Sequence, residues 1–354
     1  MMHDSLEVTG GVDTHGSTHH AAVIDAVGRH LADRQFPATS SGYRDLLAWM
    51  GSHGTVVGVG VEGTGAYGAE LARVLTAAGV RVIEVDRPDR KTRRRQGKSD
   101  PIDAYAAAMA VLSGRAKGTP KSRDGAVEAV RVLRAARRSA VKARTQAINQ
   151  IRGLLVSAPA ALREQTTGMN RTALIRALAA SPPATDLTDP LTATGETLRR
   201  LAHRYQTLDT EIRELDTHIA PLVARAAPAL LALTGVGPET AGQLLTSAGD
   251  NPQRMRSEAA FAHLAGVAPI PASSGRTRRH RLNRGGDRAA NNALHTIAVV
   301  RMRYDPRTRA YVERRTAQGL SKKDIIRCLK RFIAREVYHA LTEHPPQHQP
   351  AETA

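Results

Sequence analysis

The chain has 354 residues, 41% of them hydrophobic, and its 51 Lys+Arg against 33 Asp+Glu give a formal net charge of +18. That length allows two or three domains with real cores, and the charge excess points to a polyanionic partner, either nucleic acid or an acidic membrane surface. A single cysteine, Cys328, excludes an internal disulfide and a multi-cysteine zinc site, and 3% aromatic residues argue against base stacking on an aromatic platform. No apolar run approaches the roughly 18 residues a membrane span needs, and MMHDSLEVTGGVD at the start carries no apolar signal-peptide core. The expectation is a soluble, cytoplasmic protein that binds nucleic acid and no membrane.

Residues 8–14 (VTGGVDT) read as a strand, and 18–25 (THHAAVID) and 29–36 (RHLADRQF) follow at hairpin spacing. Residues 41–54 carry a helical pattern with Ser41 as a candidate cap. TVVGVGVE (55–62) is a compact apolar strand of the kind found in the centre of a sheet. A helix over 66–79, a strand over 80–86 and a helix after Asp100 complete the segment. Three meandering strands, then helix, strand, helix, strand and helix, is the order of the ribonuclease-H-like fold.

In KSDPIDAYAAA (98–108), Asp100 is placed to cap a helix, Pro101 to take its first position and Asp103 to complete a capping box. Both acids also favour the positive end of the helix dipole. The expected topology adds a second role. Asp13 ends the first strand and Glu62 the fourth, and these strands would lie parallel as neighbours, so their carboxylates meet at one end of the sheet. Asp100 and Asp103 share a helical face. Carboxylates gathered this way repel unless cations sit between them, and oxygen ligands suit Mg²⁺ or Mn²⁺. Paired ions of this kind clamp a phosphodiester during displacement. Gly63 and Gly65 would let a nucleic-acid backbone come close. The basic stretch 87–100 offers Arg93, Arg94, Arg95 and Lys98 to phosphates.

Residues 121–158 read as one proline-free helix on the order of 50 Å long. Val141, Ile148, Ile151 and Leu155 form its apolar stripe, with Thr145 filling the gap. Its arginine-rich face is expected to meet nucleic acid, because a merely solvated helix mixes acids among its bases. Residues 182–193 break the run. Leu198, Leu201, Tyr205, Leu208, Ile212, Leu215, Ile219 and Leu222 then keep the spacing of a coiled coil. Residues 228–250 suggest a helix-hairpin-helix element whose Gly235–Gly237 turn offers N–H groups to a phosphate, with an ordinary helical hairpin as the alternative. Further on, Ser273, Ser274 and Gly275 precede Arg276, Arg278, Arg279, Arg281 and Arg284. A serine here either donates a hydrogen bond to phosphate or attacks it. Attack requires activation of the hydroxyl, and guanidinium groups would stabilise the anionic transition state. Spacing alone leaves both readings open.

Taken in order, GVDTH (11–15), VEGTGAYG (61–68), KSDPIDAYAAA (98–108), LTGVGPETA (233–241), LAGVAPIPASSGRTRR (264–279) and LNRGGDRAANNALH (282–295) resemble the DEDD transposases of insertion-sequence family one-hundred-ten, the bridge-RNA-guided recombinases, and the related Piv-type invertases. The resemblance implies that Asp13, Glu62, Asp100 and Asp103 are the metal-binding quartet of a RuvC-like domain. It implies that Ser274 joins covalently to DNA. It also implies a structured noncoding guide RNA, donor and target double-stranded DNA, and a homo-oligomer, dimer or tetramer, whose active site combines two domains. The expected organisation is α/β plus all-α. It comprises a RuvC-like domain at 1–115, a coiled-coil insertion at 116–226, a mostly helical serine-containing transposase domain at 227–342 and a disordered tail at 343–354. On this reading the chain is a bacterial, nucleoid-associated recombinase, with Asp103 or Asp100 as general base and Mg²⁺ or Mn²⁺ as cofactor. Two alternatives are a RuvC-type nuclease using water, which gives Ser274 no role, and a non-enzymatic basic binding protein, which leaves the four acids unexplained.

Overall fold

Which helix covers which face of the first sheet is decided by the alternation of residues along its central strands. In the computed structural model, which describes residues 6–85, 99–277 and 279–343, β1 (Glu7–Thr14) runs antiparallel to β2 (Thr18–Asp25), and β2 to β3 (His30–Pro37). On its other side β1 is parallel to β4 (Thr55–Glu62), and β4 to β5 (Val82–Val85), so the order is β3-β2-β1-β4-β5. Helices α1 (Ser40–Gly51), α2 (Ala69–Ala77) and α3 (Asp100–Leu112) complete this α/β part, in the chain order read from the sequence. The expected phosphate contacts of Arg93, Arg94, Arg95, Lys98 and Arg278, and the tail 344–354, lie outside the described residues.

Successive strand residues face opposite sides. Val8, Val12, Val59 and Val61 therefore share one face, where they pack with Tyr43, Leu46 and Met50 of α1 and with Leu71 and Leu75 of α2. The other face presents Gly11 and Gly60, which are partners across the parallel ladder. Helix α3 lies on them. A Cβ at Gly11 would stand 2.1 Å from the Ala104 carbonyl oxygen and 2.3 Å from the Ala108 nitrogen, and one at Gly60 would stand 2.7 Å from the Ala107 oxygen. Only glycine permits this backbone-on-backbone approach, and α3 meets it with buried alanines at 104, 107 and 108.

Two compact units are present, one reaching Gly125 and including the returning segment Ala248–Ala260, the other comprising Ala126–Ser247 and the chain from Phe261. The returning segment is clipped to the first unit. Asn251 donates to the Pro120 carbonyl and accepts from the Ser122 N–H, and Arg254 donates to the Thr119 carbonyl. Arg254 also pairs with Glu84 at 3.2 Å, whose other oxygen accepts from Thr64 Oγ1 at 2.7 Å.

The second unit is helical. α4 (Ala126–Ser157), α5 (Ala160–Thr166), α6 (Arg171–Ala180) and α7 (Pro190–Ala226) form its first part. α8 (Pro228–Leu231), α9 (Pro238–Ala248), α10 (Glu258–Leu264), α11 (Arg288–Tyr304), α12 (Pro306–Ala317) and α13 (Lys322–Thr342) follow, with α10 straddling the boundary between the units. α4 starts five residues later than its proline-free run suggests, because Arg123 takes a φ of 56° and Ser122 bonds to Asn251. α7 starts at Pro190, inside the expected break, because Asp189 caps it by accepting from the Thr192 N–H. Arg137 pairs with Asp216, and Arg144 with Asp209, so seven residues forward on α4 match seven back on α7 and the two helices are antiparallel. Ile148 and Ile151 meet Leu198 and Ala202 in the core between them, joined by Leu174, Ile175 and Leu178 of α6. Thr145 lies exposed, its hydroxyl donating to the Val141 carbonyl, and takes no part in the stripe assigned to it.

Gly11→Ala should cost at least ~1–3 kcal/mol, as overpacking does. Gly51→Ala, with nothing within 4 Å of the added carbon, should be nearly neutral. Equal melting temperatures for the two variants would contradict the glycine contact. A second expectation concerns Glu196, which is buried and accepts from Arg199 and Arg200. These bonds hold its carboxyl at about 2, below the usual 4.5. A depressed carboxylate stabilises above its unfolded value and loses that contribution as pH falls through the folded one. Glu196→Gln should therefore lower stability at neutral pH and flatten acid unfolding between pH 4.5 and about 2.

Candidate active site

Asp13 and Glu62 stand one step beyond the paired residues Val12 and Val61. They face the same side as Gly11 and Gly60, two residues on, and so look toward the start of α3. Both are buried, and Thr14 Oγ1 ties the strand ends together by donating to the Glu62 carbonyl at 2.8 Å. Since Ala104 rests on Gly11, the preceding turn of α3 brings Asp100 and Asp103 over Asp13. Burial pushes the Asp13 carboxyl above the usual range; His15 pulls it back, and the charges of Asp103 and Asp100 push it further up.

The capping roles expected of this turn shift by one residue. Ser99 occupies the N-cap position with extended backbone, Asp100 is the first helical residue and Pro101 the second. The Ser99 side chain makes no capping bond. Asp100 is therefore not the cap, and its side chain points to a different partner.

That partner is His15, which was not singled out as a site residue from the sequence. Its Nε2 lies 3.2 Å from Asp13 Oδ2 and 3.3 Å from Asp100 Oδ1. His15 sits in the tight β1–β2 turn, where its N–H donates to the Thr18 carbonyl. The signal was present in GVDTH, since an aspartate and a histidine two apart at a strand end share a face. Asp13, His15 and Asp100 each offer one ligand atom, all within 4.8 Å of one another. Glu62 and Asp103 are not part of this cluster; its three donors fit a divalent cation, which would relieve the repulsion felt by Asp13.

Ser274 lies in the second unit, at the tip of a hairpin. β6 (Ile270–Pro271) pairs with β7 (His280–Arg281), and Ser274 and Thr277 exchange backbone bonds of 3.1 and 3.0 Å. Gly275 begins the two-residue turn between them with φ 55°, the left-handed value that favours glycine there. Ser273 Oγ is occupied, accepting from the Arg279 N–H at 3.2 Å. Ser274 is exposed, and among the described residues its hydroxyl has no partner. Arg276, Arg279, Arg281 and Arg284 are exposed along the same hairpin. At its base Gly286 abuts Gly266, where a Cβ would come within 2.3 Å of the Gly266 nitrogen. Asn291, another residue the sequence did not single out for a role, clamps the base by donating to the Ala265 and Gly266 carbonyls.

The Gly235–Gly237 turn offers less to a phosphate than expected. The Gly237 N–H already donates to Thr240 Oγ1 at 3.1 Å, and the preceding helix α8 is only four residues long. The arginines of α4 also differ from expectation, since Arg131, Arg134, Arg137 and Arg144 pair with Glu128, Glu239, Asp216 and Asp209. Most of those acids come from other helices, which is why the face looked unbalanced in its own sequence. Asp13→Asn should raise the melting temperature of metal-free protein, by about 2–4 °C per kcal/mol of repulsion relieved. It should also abolish the further rise on adding divalent cation. A metal-free variant less stable than the parent would count against the crowding of charge at this position.

Two family profiles match the chain, one for a transposase DEDD domain over residues 10–158 and one described as "Transposase IS116/IS110/IS902 family" over residues 227–313. The chain is 30% identical over 158 residues to the uncharacterized 42 kDa protein of insertion element IS900 from Mycobacterium paratuberculosis, covering 44% of this chain and 40% of that one. It is 34% identical over 134 residues to the uncharacterized 43.6 kDa protein of insertion element IS110 from Streptomyces coelicolor, covering 38% of this chain and 30% of that one. The matched stretches thus span less than half the length of either relative. The first profile contains the acidic residues and the second contains the serine hairpin, and over these two stretches the chain is similar to the IS110 family of insertion-sequence transposases.

Proposed function

We propose that this chain is an RNA-guided DNA recombinase that cuts and rejoins DNA through Ser274, with a metal-dependent acidic site on a ribonuclease-H-like, RuvC-like domain. The observation that carries the reading is the convergence of Asp13, Asp100 and Asp103 at the end of two parallel strands, with Glu62 one strand over. Acids in a protein of charge +18 that handles phosphates are a cost unless a cation lies among them.

Asp13, Glu62, Asp100 and Asp103 would hold Mg²⁺ or Mn²⁺, which supplies Lewis-acid polarisation of the scissile phosphate. Ser274 Oγ attacks phosphorus, forming an Oγ–P bond as the bond from phosphorus to one sugar oxygen breaks. A general base takes the hydroxyl proton, and the leaving sugar oxygen is protonated to a free hydroxyl. The reverse step, with a hydroxyl from another strand, frees the serine and joins the DNA. Arg276, Arg279, Arg281 and Arg284 neutralise phosphate charge near the serine. The local fixing of Ser273 favours Ser274 as the nucleophile. No base-reading motif stands out in the sequence, which agrees with specificity delegated to a guide RNA that pairs with donor and target DNA. A homo-oligomer would bring the strands together.

The test incubates protein, candidate guide RNA, Mg²⁺ and end-labelled DNA, and then denatures the mixture. Label retained on the protein, kept in Ser273→Ala and lost in Ser274→Ala, is the expected result. Nicked DNA without an adduct would point to a water-using nuclease instead. Intact DNA with tight, salt-sensitive binding would point to a non-enzymatic binding protein.

A further inference from the structure

We infer that His15 is a nitrogen ligand of the metal centre, so that this site is a mixed imidazole–carboxylate centre and not a purely carboxylate one. The inference rests on the metal-dependent reading of the acidic site and adds a ligand to it.

The spacing is the first argument. An octahedral ion holds its ligands at about 2.0–2.1 Å, so two adjacent ligands lie roughly 3 Å apart. His15 Nε2 stands 3.2 Å from one Asp13 oxygen and 3.3 Å from one Asp100 oxygen. Both separations match an edge of such a coordination shell, and one imidazole nitrogen occupies the shared corner. The third separation, between the two carboxylate oxygens, is under 4.8 Å, a range that includes the roughly 4 Å between opposite corners of such a shell.

Placement is the second argument. His15 reaches this corner from a backbone fixed on both sides. Its N–H donates to the Thr18 carbonyl at 3.1 Å, and Thr14 before it is tied to the Glu62 carbonyl. Asp100 is held in the first turn of α3, whose position is set by the glycine contact beneath it. The two carboxylates and the imidazole therefore come from three separately anchored points and need only short side-chain adjustments to share an ion. His15 and Asp100 are each a little under half exposed, at 42% and 45%, which leaves the corner open to an incoming ion.

The chemical consequence is selectivity. Imidazole nitrogen is a poor partner for Mg²⁺ and a better one for transition-metal ions, whereas carboxylate oxygen serves both. His15 would bias the centre toward Mn²⁺ relative to an all-oxygen set.

Pulsed electron paramagnetic resonance on the full-length protein loaded with Mn²⁺ reads this directly. The expected result is ¹⁴N modulation from a coordinated imidazole, replaced by the ¹⁵N pattern when histidine is ¹⁵N-labelled, and lost in His15→Ala. The same variant should lower the preference for Mn²⁺ over Mg²⁺, measured by competition, about tenfold. Its circular dichroism and melting curve would establish that it is folded. Mn²⁺ that binds, is lost in Asp13→Asn, and shows no nitrogen modulation would overturn the role of His15 while leaving the acidic metal site standing. A parent protein that binds no Mn²⁺ at all would overturn both.

Discussion

The close approach of α3 to the backbones of β1 and β4 is the contact on which the site depends. Gly11 and Gly60 remove the side chains that would hold the helix away, and the alanines of α3 do the same from above. Van der Waals contact and apolar burial drive the approach, while the absence of Cβ atoms sets its distance. One consequence is chemical. The residues two beyond each glycine are Asp13 and Glu62, and Asp100 and Asp103 fall four residues and one residue before Ala104. The packing that buries alanine thereby forces carboxylates together. The raised Asp13 carboxyl is the electrostatic cost of that geometry.

The distribution of positive charge follows a different logic in the helical unit. Several arginines of α4 are consumed internally, pairing with Asp209 and Asp216 of α7 and with Glu239 of α9. Such pairs help set the register of the antiparallel helices more than they add stability, since partly exposed ion pairs contribute little. The arginines of the serine hairpin are of the other kind, exposed on a short ladder with no acid among its residues 270–281. A protein with charge +18 thus divides its cations into those that hold helices in register and those presented to solvent, where a polyanion can meet them.

The hairpin itself combines a fixed base with a presented tip. Gly266 against Gly286, the Asn291 amide on the Ala265 and Gly266 carbonyls, and the Asp287 cap on α11 hold its two legs to helices. Further out, backbone pairing carries the strands to the Gly275 turn, and Ser273 is spent on the Arg279 backbone. What reaches solvent at the end is Ser274 among guanidinium groups. A side chain presented on a loop and supported by packed elements combines the precision of the support with the access of the loop.

By itself, the sequence determined the secondary-structure order of the α/β part, the parallel neighbours β1 and β4, and the ends at which Asp13 and Glu62 fall, because strand periodicity and apolar runs are local properties that survive without tertiary information. The serine next to glycine and its arginines were legible for the same reason. Tertiary structure alone decided what those residues touch. His15 joins Asp13 and Asp100 because a hairpin turn and a helix start meet in space, and nothing local to GVDTH names Asp100 as its partner. Part of the arginine face of α4 is answered by acids that lie 65 to 105 residues away, invisible in the sequence of the helix itself. The cap of α3 moved from Asp100 to Ser99, since capping rules tolerate either register and the seat on Gly11 chose one. Charge pairing and close packing act through space, so their partners become visible only once the chain has folded.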